Sequence, residues 1–491
     1  MTAGYEVSAG ELRGAVEGRL RDGWRMALVC GVEDDDCFRV VYVLVRGSDD
    51  QRVELVLRTP LEEPAIPSLA AVDYSTGRFE REIRDLYGVT PVGHPLEARL
   101  VLHGHWPQGW HPMRRDAGPP PVFEPDVGSF PFLEVEGEGV YEIPVGPVHA
   151  GLIEPGHFRF SVVGETILRM KARLWFVHRG VEKLFEGRRT NDGIELAERI
   201  SGDTAVGHSL AYAMAVEAAA GIEVAERDRL VRALLLELER LHNHVADLGA
   251  LANDVGYGII NAHALRLRET LLRLNKQTTG HRLLRGAITI GGARVVSLPD
   301  LGLVRTVAAE VAELAELTLA NATVRDRFSG TAPLGRDAAV GLGTLGYVAR
   351  ASGVNIDARR DHPFVDLGEG FSVVVEHAGD VLARYLVRVR ELKVSAALVA
   401  DLVTRLGDAT GSGRQLEPRQ AGTGLGLVEG WRGAIAHRVE LAGSGTLSRV
   451  KVVDPSFFNW PALPVALADT IVPDFPLVNK SFNQSYAGND L

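Results

Sequence analysis

Cysteine is almost absent from this 491-residue chain, which has only Cys30 and Cys37, close together near the N-terminus. A small disulfide scaffold needs several cysteine pairs, and an iron–sulfur cluster is commonly held by four thiolates. The sequence therefore excludes both kinds of structure for this chain alone. Such sparing use of cysteine is typical of proteins in the cytoplasm, which is the compartment that we expect.

Long apolar runs are absent as well. Residues 210–224 form the most apolar stretch, but Glu217 and Glu223 interrupt it, and it is shorter than the roughly 20 residues that cross a bilayer. Residues 1–21 carry scattered charges and no continuous apolar segment, so we expect no secretory signal. Contact with a membrane would therefore come through partner proteins.

Positive charge is also in deficit. The chain has 53 Lys and Arg residues against 64 Asp and Glu residues, which gives a net charge of −11. Proteins that bind nucleic acid gain much of their affinity by neutralising phosphates with basic side chains. The negative balance therefore predicts that nucleic acid is not a partner.

The chain is long enough for two or three domains. Residues 38–45 and 53–57 are rich in β-branched side chains and flank a turn-forming segment, which predicts a β-hairpin within a small α+β domain. Consecutive prolines at 119–121 then indicate a semi-rigid connection. We divide the chain into a small domain at residues 1–116, a Pro-rich linker at 117–135 and a large domain at 136–491.

Hydrophobic periodicity changes from strand-like to helical within the large domain. Apolar residues recur at steps of three and four over residues 230–248, and again between about 376 and 406, which predicts two long helices. Residues 158–168 predict a hairpin, and residues 438–453 predict two strands joined by a Gly-Ser-Gly turn. The expected fold class is α+β, with a helix-bundle-dominated large domain and peripheral β-hairpins.

A glycine pattern at residues 341–346 matches the dinucleotide-binding fingerprint letter by letter. A true fingerprint follows directly on a β-strand and opens a helix at its last glycine. Residues 336–340 are not strand-like, since they include Asp337, Ala338 and Ala339. We therefore favour a packing or turn role for these glycines, and binding of NAD is kept as an alternative.

Two groups of potential metal ligands stand out. Glu239 and His242 lie three residues apart on a predicted helix, but a di-metal site in a helix bundle needs a second copy of this motif. His103, His105 and His111 share one loop without a recognisable fourth zinc ligand. For both groups we favour hydrogen-bonded, structural roles over metal binding.

Residues 80–88 carry a motif that resembles the signature of the C-type subunits of the NADH-quinone oxidoreductases, or respiratory complex I. Residues 146–151, 154–160 and 177–183 resemble the opening of the D-type subunits and of the related large subunits of energy-converting [NiFe] hydrogenases such as formate hydrogenlyase. Further matches follow in the same order at residues 197–200, 208–213, 237–241, 350–353 and 357–363. The resemblance covers nearly the whole chain and implies a C–D fusion whose large domain is similar to the large subunit of a [NiFe] hydrogenase.

The resemblance also identifies what this chain has lost. A [NiFe] hydrogenase holds its metals with four thiolates from two Cys-x-x-Cys pairs, and thiolates suit soft metals. The corresponding positions here are Ser201, Thr204, Ser456 and Asn459. Neutral hydroxyl and amide groups do not replace thiolates in such a centre. We therefore expect no nickel, no other metal and no cofactor bound by this chain, and no hydrogenase activity.

In complex I the equivalent cavity receives a quinone headgroup beside an iron–sulfur cluster of a neighbouring subunit. The family places a histidine and a tyrosine on that headgroup, whereas alignment puts Pro155 and Gly202 at these two positions. This departure places quinone reduction in doubt. A quinone is kept as a potential ligand, together with other redox acceptors.

Four residues are candidates for the redox pocket, namely His149, Arg199, Asp203 and His208. Arg199 matches a family arginine beside the partner's cluster, where its permanent charge would favour the reduced state. Asp203 would accept a proton or pair with Arg199. His208 would couple proton uptake to electron arrival, or serve only as a hydrogen-bonded core histidine.

The resemblance implies an electron-transfer subunit of a complex I-like or hydrogenase-related membrane assembly that couples redox change to ion translocation. The implied partners are a small iron–sulfur subunit of the B type found in complex I, a ferredoxin-like subunit and antiporter-like subunits of a membrane arm. The chain would lie in the cytoplasm, peripheral to the inner face of the cell membrane. The alternative is an inactive scaffold, which we expect if Phe457 and Phe458 fill the pocket between Ser201 and Ser456.

Overall fold

The computed structural model describes residues 3–123, 130, 132–149 and 153–491. Residues 124–129 and 131 of the predicted linker, and residues 150–151 of one predicted motif, lie outside this set. The described residues form a mixed α and β structure, which confirms the expected fold class. No helix in the described part is long and apolar enough to cross a membrane.

A four-stranded sheet and two helices build the N-terminal part. Its strands lie in the order β1-β4-β3-β2, with β1 parallel to β4 and the other pairs antiparallel. The β3–β4 pair is the predicted hairpin. The elements are β1 (Ala3–Glu6), α1 (Ala9–Arg21), β2 (Arg25–Glu33), β3 (Cys37–Arg46), β4 (Gln51–Pro60), β5 (Ala65–Pro67), α2 (Tyr74–Tyr87) and β6 (Thr90–Val92).

In the described part of the first half of the large domain, three strands come first, followed by five helices and two short strands. Strands β7, β8 and β9 form an antiparallel sheet that contains the second predicted hairpin. The elements are β7 (Val140–Val145), β8 (His157–Val163), β9 (Thr166–Arg173), α3 (Val181–Phe185), α4 (Thr190–Ala197), α5 (Ala205–Ala220), α6 (Glu226–Asp254), α7 (Gly258–Thr279), β10 (Ile288–Thr289) and β11 (Gly292–Ala293).

The second half of the large domain returns from helices to a three-stranded antiparallel sheet, β12-β13-β14, which includes both predicted tail strands. Its elements are α8 (Leu301–Ala320), α9 (Ala322–Phe328), α10 (Arg336–Gly341), α11 (Gly346–Ala351), α12 (Ala358–Asp361), α13 (Val381–Leu406), β12 (Gly422–Glu429), β13 (Ala434–Leu441), β14 (Leu447–Val453), α14 (Pro455–Asn459), α15 (Ala462–Ala466), α16 (Phe475–Phe482) and α17 (Tyr486–Asp490).

Both long helices that the sequence predicts are present as α6 and α13. The predicted start of α13 at about residue 376 is five residues too early, because the helix begins at Val381. Asp380 caps it by accepting a hydrogen bond from the amide of Ala383 at 2.7 Å. Gly379, with a φ of +65°, turns the chain just before this cap.

The glycine run at residues 341–346 packs backbone against backbone. Helix α10 precedes it where the dinucleotide fingerprint requires a strand. Gly346 has a φ of +62°, and a Cβ added there would lie 1.9 Å from the carbonyl oxygen of Arg432. The run therefore serves the close crossing of two segments, as the packing interpretation predicts.

Strand β12 lies directly on α5 and fixes where that helix runs. Added Cβ atoms at Gly424 and Gly426 would lie 2.2 Å and 1.9 Å from the carbonyl oxygens of Ala215 and Ala211. Only glycines on the strand, facing alanines on the helix, permit this separation. The contact holds the middle of α5 against the sheet and so fixes the direction of the helix, whose N-terminal end lies at the candidate site.

The small and large domains share buried structure. The apolar cluster around the N-terminal sheet also contains Leu425, Phe457 and Phe458 of the large domain. Charged groups cross the same boundary, since Lys451 pairs with Glu82 at 2.6 Å. The two domains therefore pack on a common core.

Arg438 provides a measurable test of this shared interface. Its guanidinium pairs with both carboxylate oxygens of Glu54 at 3.0 Å and with Glu440 at 2.6 Å, and its side chain is only 2% exposed. We expect Arg438→Ala to lower the free energy of unfolding by about 3–5 kcal/mol, because it leaves buried carboxylates uncompensated. Denaturant titration measures this loss.

The matched control is Arg266→Ala, which removes an exposed ion pair with Glu310. Exposed pairs contribute only about 0–1 kcal/mol. Equal losses in the two variants would contradict the structural role assigned to Arg438.

Candidate functional site

The two sequence-distant segments that contain Ser201 and Ser456, the predicted positions of lost nickel ligands, meet in space. Ser201 lies just before α5, and Ser456 lies in the first turn of α14. The hydroxyls of Ser201 and Ser485 are hydrogen-bonded at 2.8 Å, and the amide of Ser485 donates to Ser456 Oγ at 2.9 Å. Three serines thus connect the two ends of the large domain.

Thr204 and Asn459, the other two positions, are buried and hydrogen-bonded. Thr204 Oγ1 donates to Asp203 at 3.0 Å and accepts from Trp431 Nε1 at 3.1 Å. Asn459 Oδ1 accepts from the amide of Leu345 at 2.8 Å. These groups are neutral oxygen and nitrogen ligands already engaged with protein partners, so the set does not fit a thiolate-held nickel–iron centre.

Asp203 and Arg432 form the main ion pair of the site. Both oxygens of Asp203 accept from the Arg432 guanidinium at 2.7 Å. Burial alone would raise the pKa of Asp203, but the positive charge and hydrogen bonds of Arg432 hold that pKa below its ordinary value. The carboxylate does form an ion pair, although with Arg432 instead of the predicted Arg199.

Arg199 lies at the surface. Its side chain is 52% exposed, and it donates to the carbonyl oxygen of Glu195 at 2.6 Å. Arg179 donates to the carbonyl oxygens of Arg199 and Ile200 at 3.0 Å and 2.7 Å, which places a second guanidinium against the same loop. Arg199 also lies 3.7 Å from the Glu195 carboxylate, so an exposed ion pair stands beside Arg179 on this loop.

His208 is fully buried behind the serines. Its Nε2 lies 2.9 Å from Asp454 Oδ2, and its Nδ1 lies 3.1 Å from Nε2 of His437. Burial would raise the pKa of Asp454, but hydrogen bonding to His208 brings it below its ordinary value. His208 therefore lies in a hydrogen-bonded core environment. Its coupling of proton uptake to electron arrival stays a prediction.

A cavity of about 760 Å³ opens beside this cluster. Its lining includes Ser201, Asp203, Arg432 and His149. The Nδ1 atom of His149 lies 3.2 Å from the carbonyl oxygen of Pro147, while its Nε2 has no hydrogen-bond partner among the described residues. Tyr486 also lines the cavity, and its ring centroid lies 6.2 Å from that of His149.

Phe457 and Phe458 do not fill this cavity. The ring of Phe457 stacks on Phe79 of the small domain, with centroids 4.4 Å apart, and Phe458 contacts the same ring edge-on at 5.9 Å. Helix α14 therefore directs its serine toward the candidate site and its aromatic side chains toward the small domain.

Behind Arg432 lies a network of buried charges that the sequence patterns did not predict. The ring centroids of His244 and Trp431 lie 6.1 Å apart, and Nε2 of His244 is 2.8 Å from Glu391. Glu391 pairs in turn with Arg350 at 2.6 Å. Arg432 itself was also missed, because only its place after Trp431, in the turn between β12 and β13, brings it to Asp203.

The candidate metal motifs have structural partners. Glu239 accepts hydrogen bonds from the amides of Val206 and Gly207 at 2.7 Å and 3.0 Å, so it stabilises the start of α5. Nδ1 of His111 lies 2.9 Å from the carbonyl oxygen of Asp85. A search of the described residues finds no group of three or more His, Cys, Asp or Glu side chains arranged to hold a metal.

Three family models match this chain. The model of the respiratory-chain NADH dehydrogenase 49 kDa subunit matches residues 254–421, and that of the 30 kDa subunit matches residues 14–121. The model of nickel-dependent hydrogenases matches residues 179–252. The matches place hydrogenase and complex I sequence patterns within one chain.

Curated relatives extend over most of the sequence. Hydrogenase-4 component G of Escherichia coli is 36% identical, over 84% of this chain and 73% of the relative. Formate hydrogenlyase subunit 5 of Escherichia coli is 34% identical, over 89% of this chain and 78% of the relative. The fused C/D subunit of NADH-quinone oxidoreductase from Phocaeicola vulgatus is 29% identical, over 84% of each chain.

A solved structure also resembles this fold. A chain of the membrane-bound sulfane sulfur reductase, described as an archaeal respiratory membrane complex, superposes with a TM-score of 0.65 at 26% identity. The match covers 72% of this chain and 99% of that chain. Fold and site together define the class of large subunits shared by hydrogenases and complex I. The chain belongs to the family that includes hydrogenase-4 component G, formate hydrogenlyase subunit 5 and the fused C/D subunits of NADH-quinone oxidoreductase.

His242 lies on α6 and provides a test of the pH dependence of stability. Burial lowers its pKa to about 4, against about 6.5 in an unfolded chain. The unfolded state therefore binds more protons between these values, so stability falls as the pH drops from 6.5 toward 4. We expect His242→Leu to reduce this slope, by up to about 1.4 kcal/mol per pH unit.

Denaturant titrations across this pH range measure the slope. His263→Leu, at an exposed position of α7, is the matched control and should keep the slope of the parent protein. If His242→Leu keeps it as well, the buried, neutral state assigned to His242 is wrong.

Proposed function

We propose that this chain is an electron-transfer subunit of a membrane-associated complex I-like or hydrogenase-related assembly. In this proposal the cavity beside Ser201 and Asp203 receives a quinone or another redox acceptor where hydrogenases hold nickel and iron. The observation that carries the proposal is the meeting of the segments that contain Ser201 and Ser456 beside an open cavity of about 760 Å³, whose lining includes charged and polar side chains. This chain would bind no metal or cofactor of its own.

The lining of the cavity supports binding of a polar acceptor group. Arg432 supplies a permanent positive charge, and Asp203 keeps 37% of its side chain exposed while paired with it. A guanidinium donates hydrogen bonds in a fixed plane, which suits a carbonyl or anionic oxygen. His149 would supply a ring nitrogen from the lining of the same cavity.

Reduction of a quinone to a quinol takes two electrons and two protons. The electrons would arrive one at a time from an iron–sulfur cluster of a small partner similar to the B-type subunits of complex I. His149 would deliver a proton to one quinone oxygen as an imidazolium recharged from water, since its Nε2 has no protein partner in the described structure. The second proton would come from water that enters the open cavity.

The exposed face around Arg199 would contact the cluster-bearing partner. Arg199 lies on the loop that leads directly to Ser201. Arg179 packs against this loop and donates to the carbonyl oxygen of Arg199. A ferredoxin-like subunit would deliver electrons to this cluster. Antiporter-like membrane subunits would couple the resulting redox change to ion translocation. Association with these subunits would place the chain peripherally on the inner face of the cell membrane.

The buried charges behind the site support a coupling role. His244, Glu391 and Arg350 form a continuous set of ion pairs and hydrogen bonds within the protein. Charges at low dielectric interact strongly, so a new charge in the cavity would change the electrostatic energy of these buried groups. A scaffold that only docks the cluster-bearing partner is the rival function, and it requires no response in the cavity.

Asp203→Asn in the intact assembly distinguishes the two functions. The assembly is purified, its nickel content is measured, and NADH, ferredoxin and quinone are tested as redox partners. We expect no nickel, and an approximately tenfold or greater loss of acceptor reduction in the variant, because a charge-assisted contact contributes about 1.5–3 kcal/mol.

Asp408→Asn, at an exposed position after α13, is the control and should retain full turnover. Unchanged turnover in Asp203→Asn with every acceptor would favour the scaffold. Stoichiometric nickel in the assembly would overturn the proposed metal-free cavity.

Arg199→Met tests the approach of the partner's cluster. A fixed positive charge nearby stabilises the reduced, more negative cluster, so its removal should shift the reduction potential of that cluster to a more negative value. Redox titration of the assembly, followed by electron paramagnetic resonance, measures the shift. Arg199→Lys keeps the charge and should retain most of the parent potential, whereas an unchanged potential in Arg199→Met would place the cluster elsewhere.

A further inference from the structure

A second large cavity, of about 860 Å³, lies where the small domain meets the large domain. The small domain contributes Trp24 and Arg25 at the start of β2, and the large domain contributes Thr344, Asn355 and Phe458. Phe458 faces this cavity from α14, the short helix that also carries Ser456. The cavity is therefore separate from the redox site and shares only that helix with it.

Arg25 is the unusual group of this cavity. No hydrogen bond or ion pair engages its guanidinium in the described part of the chain. Burial lowers the pKa of Arg25, and the negative charges of Glu429 and Asp361 offset this effect only in part. A partly buried guanidinium has five N–H donors and loses hydration without receiving an acceptor in return.

The acidic groups near Arg25 are already engaged with other partners. Asp361 accepts from Arg360 at 2.7 Å and from the amide of Asp357 at 3.0 Å. Glu429 accepts from Arg350 at 2.8 Å. The protein thus satisfies these carboxylates elsewhere and leaves the positive charge of Arg25 at the cavity without a direct partner.

Asp73 and Asp50, two further carboxylates beside the cavity, are engaged as well. Asp73 caps α2 by accepting from the amide of Thr76 at 2.7 Å. Asp50 lies 2.7 Å from Nδ1 of His362. No carboxylate among the described lining residues is free to neutralise Arg25.

Part of the remaining lining is apolar. Leu20, Met26, Val45, Val354 and Ile356 contribute aliphatic surface. The Trp24 ring is held in place by the Arg46 guanidinium, 4.8 Å from its centroid. A volume of this size that combines apolar surface with polar side chains is typical of small-molecule sites.

We propose that this interdomain cavity binds a small amphipathic anion, with a carboxylate or phosphate on Arg25 and an aliphatic or aromatic body against Trp24 and the apolar wall. The shared chemistry is one anionic head on an apolar or aromatic body. An aliphatic acid and a mononucleotide both have this chemistry. The glycine run at residues 341–346 borders the cavity. Because each source has a neutral counterpart, the two can be tested separately.

Calorimetric titration of the full chain with two matched probe pairs tests the proposal. The aliphatic pair is decanoate and decanol, and the nucleotide pair is AMP and adenosine. We expect at least one anion to bind more tightly than its neutral counterpart. Arg25→Gln should weaken that anion about tenfold or more and leave the neutral counterpart unchanged, because only the charge-assisted contact is lost.

Two further variants make the result specific. Arg25→Lys retains the charge and should recover part of the affinity. Arg360→Gln removes a lining guanidinium that already pairs with Asp361, and it should alter anion affinity less than twofold. Thermal unfolding without ligand should show Arg25→Gln to be no less stable than the parent, since Arg25 has no partner to lose within the described structure.

Three results would overturn the proposal. These are the absence of binding by all four probes, equal affinity for anion and neutral counterpart, and an unchanged anion affinity in Arg25→Gln. None of them bears on turnover at the redox cavity, so this inference and the proposed function fail independently.

Discussion

The burial of many guanidinium groups is the constraint on which this structure depends. Arginine cannot lose its proton in a protein, so a fully buried arginine is stabilised by carboxylates or carbonyl oxygens from elsewhere in the chain. Arg438 obtains Glu54 from the other domain, Arg432 obtains Asp203 from the opposite end of the large domain, and Arg350 obtains Glu391 and Glu429. These long-range pairs fix the relative position of segments that are distant in sequence.

The same constraint explains what could be predicted from the sequence. Helix α6 and the β3–β4 hairpin depend on local periodicity, and both were predicted. The start of α13 was missed by five residues, because the cap of Asp380 outweighs the apolar pattern before it. Local patterns identify elements well, while the exact ends depend on single capping contacts.

The candidate site was predictable in its location but not in its electrostatics. Resemblance to a family placed Ser201 and Ser456 together, and the Ser201–Ser485–Ser456 hydrogen bonds join them. The partner of Asp203 was assigned to the nearest arginine in sequence, Arg199, whereas the structure uses Arg432, 229 residues away. Pairing across such a separation is determined by the packing of β12 on α5, which no local pattern encodes.

Where the resemblance to hydrogenases assigns four thiolates, this chain has hydroxyl and amide groups, which changes what holds this pocket together. Metal–thiolate bonds would tie α14 to the loop before α5, and in their absence that role falls to hydrogen bonds and to one ion pair. Neutral hydrogen bonds contribute only about 1 kcal/mol each, so the Asp203–Arg432 pair becomes the strongest connection across the site. That pair also lines the open cavity. In the proposed function an incoming acceptor would meet this same contact, which would link occupancy of the cavity to the geometry of the whole domain.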